Sequence, residues 1–191
     1  MKSALLVIDV QKIYTDLETD YQIENAESIL CNINNVINMA EQQGSDIFYI
    51  RHIHSKDGKD SGRMFDFTGE EGDIEFVEGS EEVEFSNNLK ISTSATHITK
   101  TRYDSFVNTN LLQLLKERNI TKVVIVGFMT NFCCESTART AHSYDFYVDF
   151  VKDATGTPGT ELLSPEATIN ATCATLEAGF ANILLTKDVA F

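Results

Sequence analysis

Val123-Val124-Ile125-Val126-Gly127-Phe128-Met129-Thr130-Asn131-Phe132-Cys133-Cys134-Glu135-Ser136-Thr137-Ala138-Arg139-Thr140-Ala141 reads as a buried strand, a tight turn and a helix whose first turn carries a cysteine. A β-branched run closed by Gly127 fits a central parallel strand, and Thr130 or Asn131 can cap the helix that follows. Cys133 then sits among free backbone N–H groups at the positive end of a helix dipole, which favours a thiolate. Helical spacing separates it from its neighbour. Cys134, Ala138 and Ala141 form a narrow apolar stripe suited to packing against a sheet, whereas Cys133 shares a face with Thr137 and Thr140.

Outward from this stretch, apolar runs of strand length alternate with segments of helical period. Strands are expected at 4–9, 46–53, 96–100, 122–126, 147–152 and 182–185. Ile29, Ile33, Val36, Ile37 and Ala40 recur at helical spacing before Gly44 ends that helix, and 107–118, 131–142 and 165–178 supply more. The alternation predicts an α/β chain: a three-layer αβα, Rossmann-like arrangement around a six-stranded, mostly parallel sheet. Residues 54–95, rich in Gly, Asp and Glu, break the rhythm. Such an excursion can form a site wall or a subunit contact, or remain a solvated acidic loop.

A chain of 191 residues, 42% hydrophobic, is long enough for one sizeable core and short for two, so 1–191 is read as a single domain. The net charge of -14 argues against a nucleic-acid partner and repels anionic substrates unless basic residues gather in the site. Cys31, Cys133, Cys134 and Cys173 lack the spacing of a disulfide framework or of paired zinc ligands, which suits a reducing compartment. The first apolar run is interrupted by Asp9 and is too short for a signal peptide, and no stretch reaches a membrane span. A cytoplasmic location without membrane partners is the expectation.

Asp9, Lys100 and Cys133 fall at the ends of three separate expected strands, where open parallel sheets form ligand sites. Together they make a nucleophile set. Lys100 would stabilise the thiolate, and Asp9 would take the thiol proton and return it to a leaving amine. Taken singly, Asp9 can equally cap a loop and Lys100 can be ordinary surface charge beside Arg102. Cys173 lies on a stripe with Ile169, Leu176 and Phe180 that reads as core. His52 and His54 share one strand face, but no nearby Asp or third His completes a ligand set, so neither metal nor cofactor is expected.

These residues carry a family resemblance. Leu5-Leu6-Val7-Ile8-Asp9-Val10-Gln11, Lys100-Thr101-Arg102-Tyr103-Asp104-Ser105-Phe106, the Gly127 to Cys133 turn running on to Arg139, and Val151-Lys152-Asp153-Ala154 resemble the motifs of the isochorismatase-like cysteine hydrolases. The likeness covers nearly the whole chain and keeps the motifs in order. It implies an Asp9, Lys100, Cys133 triad, a cis peptide before Met129, and an oxyanion hole from the N–H groups of Met129 and Cys133. It further implies hydrolysis of a C–N bond in a small amide or carbamoyl compound through a thioester, in a homodimer or homotetramer.

By the same resemblance, Gln11 and Tyr14 would lie near the pocket mouth and Phe106 would line its wall. The chain departs from the family's nicotinamidases, whose Asp-x-His and further His bind a metal, so nicotinamide is disfavoured. Isochorismate is disfavoured too, because its cleavage needs no cysteine and the substrate is anionic. Asn131 stands where the family more often has Asp. The competing reading is a non-catalytic or redox-responsive binding protein on the same fold, with Cys133 and Cys134 as the sensor. Adjacent helical side chains point about 100° apart, which strains a vicinal disulfide.

Overall fold

The structure, a computed structural model, describes residues 1–70 and 72–191. Its strands are β1 (Ser3–Ile8), β2 (Asp46–His52), β3 (Thr96–Lys100), β4 (Lys122–Phe128), β5 (Tyr147–Gly156) and β6 (Asn182–Leu184). They form one sheet in the order β3-β2-β1-β4-β5-β6, with every neighbouring pair parallel. The chain therefore winds one way from β1 through β2 to β3 and the other way from β4 to β6. Between β1 and β4 the winding reverses, and a crevice opens there outside the carboxyl ends of the strands.

Side chains of the central strands alternate between two cores because strand periodicity is two. Leu5, Val7, Val124 and Val126 face one layer, with Leu30, Ile33, Ile37 and Ala40 of α2 (Ala26–Gln42). Ala4, Leu6, Ile8, Val123 and Ile125 face the other layer, built from α3 (Leu111–Glu117), α4 (Glu135–Ser143) and α5 (Pro165–Glu177). Every residue of β1 is buried, and at about 1.5–3 kcal/mol per large aliphatic side chain these central strands are the strongest determinant of the fold. A four-residue helical turn, α1 (Lys12–Thr15), follows β1. No helix among the described residues is long and apolar enough to cross a membrane.

Three local differences from the sequence expectation have physical causes. Strand β5 runs on to Gly156 through Lys152 and Asp153, whose polarity masks it; the pairing with β4 shifts register between Ile125 and Gly127. Asp153 is absorbed because its Oδ1 accepts the Thr186 N–H at 2.7 Å and the Thr186 hydroxyl at 2.9 Å. The turn after β4 is a π-helical turn, Thr130–Cys134, before α4 begins. Its Cys134 N–H reaches back five residues to the Met129 carbonyl at 3.2 Å. Neither expected cap is made: the Thr130 hydroxyl instead donates to Thr155 Oγ1 at 3.0 Å, fixing the turn to β5.

Gly127 is required where β4 meets β1. Its φ is +121°, and a Cβ there would lie 1.9 Å from the Ile8 carbonyl oxygen. The excursion after β2 is stitched back to the sheet by an antiparallel bridge between Gln11 and Phe85 and a parallel one between His54 and Val77. A short 3₁₀ turn, Glu81–Val83, lies between these ties.

Candidate active site

Asp9 leaves β1 with φ 50°, a left-handed conformation that Asp tolerates better than most residues, and its N–H donates to the Ile50 carbonyl at 2.8 Å. Lys100 ends β3, and Cys133 lies in the π turn beyond β4. The fold brings all three into one buried cluster. Lys100 Nζ lies 2.7 Å from Asp9 Oδ2 and donates to Cys133 Sγ at 3.2 Å and to the Arg102 carbonyl at 2.9 Å. The ammonium is thus ion-paired with the carboxylate and donates to two further acceptors.

Burial sets the protonation of this cluster. Removal from water pushes the Cys133 thiol well above its ordinary pKa, with the Asp9 charge acting in the same direction and Lys100 opposing it. Desolvation in this nearly solvent-free π turn thus works against the thiolate that a helix start favours. Asp9 is also held above the usual carboxylate range by burial, against the pull of Lys100. A buried carboxylate of raised proton affinity beside a neutral thiol is placed to accept that thiol's proton.

The Phe128–Met129 peptide is cis. The Met129 N–H donates to no group among the described residues, and the Cys133 N–H to none outside its own turn.

His52 and His54 form a pair whose Nε2 atoms are 2.9 Å apart, and His54 Nδ1 lies 3.3 Å from Asp60 Oδ1. Burial, aided by the Lys100 charge, keeps the His52 imidazole neutral. Asp9, His52 and Cys133 present ligand atoms within 4.8 Å of one another, a grouping that invites a metal. The residues do not fit one. The Lys100 ammonium already occupies the space between Asp9 and Cys133, and His52 Nε2 is turned to His54.

The motif residues around the Asp9, Lys100 and Cys133 cluster are structural ties. Thr137 Oγ1 accepts the Ser105 N–H at 3.1 Å, and its hydroxyl donates to Ser105 Oγ at 2.9 Å. Thr140 donates to Asp104 Oδ2 at 2.6 Å. These threonines bind α4 to the loop after Lys100 rather than facing substrate with Cys133, because the wider π turn breaks the helical phase that grouped them. Cys134 and Cys173 are buried in the core as expected, and all four thiols are free.

A cavity of about 590 Å³ opens above Cys133. Tyr14, Met129 and Phe76 line its inner part, while Tyr103 and Phe132 stand on the side of the π turn. Its outer wall comes from the excursion, through Met64, Phe65, Phe67, Asp73 and Glu75. Two expected lining residues lie elsewhere. Gln11 is fully buried: its Oε1 accepts the His52 N–H at 2.9 Å, and its Nε2 donates to the carbonyls of His52 and Val83, each at 3.1 Å. Phe106 packs away from the cavity, beside Phe146 and Tyr144. Tyr14 does line the cavity. The aromatic and acidic wall from the excursion was not found from sequence, because its residues follow no periodic pattern.

A family model described as Isochorismatase domain matches residues 3–187. Nicotinamidase 3 of Arabidopsis thaliana is 30% identical over 184 residues, 95% of this chain and 84% of that protein. The ureidoacrylate amidohydrolase RutB of Rhizobium rhizogenes is 25% identical, over 92% of this chain and 83% of that one. Among solved structures, a cysteine hydrolase from Pseudomonas syringae superposes with a TM-score of 0.88 at 24% identity, covering 98% and 90% of the two chains.

Proposed function

Because this chain belongs to the isochorismatase family of hydrolases, we propose that it is a metal-independent cysteine amidohydrolase that cleaves the C–N bond of a small amide or carbamoyl compound. One observation carries the reading: a single buried ammonium touches both a carboxylate and a thiol on the floor of an open cavity. Two relatives named above as amidases support the bond type. Only Cys133 of the adjacent thiols lines the cavity, which favours hydrolysis over a redox switch.

In this mechanism Asp9 takes the Cys133 proton as the sulfur attacks the amide carbon. The new S–C bond pushes the carbonyl electrons onto oxygen, where the N–H groups of Met129 and Cys133 receive them. Lys100 holds Asp9 and the sulfur in register throughout. As the oxyanion collapses, the C–N bond breaks and Asp9 returns its proton to the departing nitrogen, which leaves as ammonia or an amine. Asp9, ionised again, then activates a water that attacks the thioester. The acid is released and the thiol regains its proton. The net change is amide plus water to acid plus amine.

The test is ammonia release from a panel of primary amides and carbamoyl compounds. Turnover by the wild type and its loss in Cys133→Ala is the expected result. No turnover of any member, or equal turnover by the variant, sinks the reading.

A further inference from the structure

The walls of the cavity have a sign. Asp20, Asp73 and Glu75 line it, and among the described residues no Lys or Arg does. Lys100, beneath Cys133, is ion-paired with Asp9 and donates to Cys133 and to the Arg102 carbonyl. Arg63 and Arg102 line an adjoining groove that shares Met64, Phe67, Tyr103 and Phe132 with the cavity. Both are engaged there: Arg63 pairs with Asp66, and Arg102 donates to the Asp60 carbonyl at 2.6 Å. His52, kept neutral by burial, supplies no charge.

One of the carboxylates is held in place among aromatic rings. Tyr21 Oη donates to Glu75 Oε2 at 2.5 Å, and Tyr21 packs against Tyr14 and Phe76 with ring centroids 6.4 and 6.0 Å away. Ring faces beside a fixed carboxylate are the surroundings that bind an organic cation, through the ring quadrupole and the charge together. A cleft carrying one sign of charge also concentrates ligands of the other sign, in keeping with a chain of net charge -14.

Resting on the hydrolase reading, we propose that the substrate is a small amide bearing an ammonium group away from the scissile carbonyl, bound by Glu75 and the aromatic wall, and that carboxylate-bearing amides are excluded. The acid produced is then a zwitterion.

Three amides of similar size and different charge test this: trimethylammonioacetamide, its uncharged isostere tert-butylacetamide, and malonamate. The expected order of kcat/KM is cationic, neutral, anionic, with the first step about tenfold or more. Raised ionic strength narrows the gap. Glu75→Gln and, at an exposed position, Asp73→Asn each reduce the ratio of cationic to neutral turnover. Equal turnover of the first two amides, or a faster anionic one, overturns the substrate class while leaving the hydrolase reading intact. Calorimetric binding of the same three amides to Cys133→Ala reads the preference without chemistry. If that variant favours the cation while the wild type turns over none of the three or any other amide, the binding class stands and the hydrolase reading falls.

Discussion

Lys100 Nζ lies 2.7 Å from Asp9 Oδ2 with both side chains fully buried. A buried ion pair adds little net stability, but removing one partner strands the other. Lys100→Met is expected to cost about 3–5 kcal/mol by urea unfolding. Adding Asp9→Asn to that variant should restore most of the loss while leaving the protein inactive. A double variant no more stable than the single would show that the two charges are not coupled. Asp9 is held above its usual range by burial, so its contribution is present below about pH 4 and fades as pH rises through its folded pKa. Removing Lys100 raises that pKa further, and the deficit of the single variant should grow from acidic to neutral pH.

Thiol labelling separates the resting thiol from a preformed thiolate. Cys31 is exposed, whereas Cys133 is 2% exposed with its pKa pushed up by burial. Burial also raises the Cys173 thiol, to about 11. With N-ethylmaleimide at neutral pH, peptide mass mapping should find Cys31 modified first. Labelling of Cys133 should rise with pH, past the range of an ordinary thiol. Cys133 reacting fastest at neutral pH would mean that the dipole and Lys100 outweigh desolvation.

Gly127→Ala is expected to be among the most damaging small substitutions in the chain. Its methyl group would meet the Ile8 carbonyl oxygen at 1.9 Å, at backbone of both central strands. A loss above about 4 kcal/mol, or failure to fold, is the expected outcome of denaturant titration. A loss under about 1 kcal/mol would show that β1 and β4 can part without cost.

Thr137→Val keeps the shape of the side chain but leaves the buried Ser105 N–H without its acceptor. The expected cost is about 1–3 kcal/mol. Because the tie holds the loop after Lys100, kcat should fall more than KM changes. An unchanged kcat in a destabilised variant would confine the bond to stability.

The sheet was legible because β1 and β4 are uninterrupted apolar runs that no amphipathic helix would carry, and α2 because Ile33, Ile37 and Ala40 repeat at one spacing. Asp9 was legible because it follows such a run directly, Lys100 because it ends the short strand β3, and Cys133 because it stands in the first turn after β4. The resemblance puts Gln11 and Phe106 at the cavity, in motifs next to Asp9 and Lys100. In three dimensions, Gln11 turns to the backbone of β2 and Phe106 packs beside Phe146 and Tyr144. A motif's place after a strand end does not fix the direction of each side chain in it. The π turn is hidden for a related reason: its composition is that of a helix start, and only the Met129 to Cys134 bond reveals the wider winding. The excursion's fold depends on tertiary ties such as Gln11 to Val83, which no local pattern announces.

Those ties anchor the outer wall at its two ends, at the His54 to Val77 bridge and at Gln11 with Phe85. Between them it is fastened again, by Glu75 to Tyr21, by Asp60 to His54 and Arg102, and by Phe76 stacked on His52. A segment grafted between the same anchors would redraw what the cavity admits, and His52, Tyr21 and Arg102 would each need a new partner.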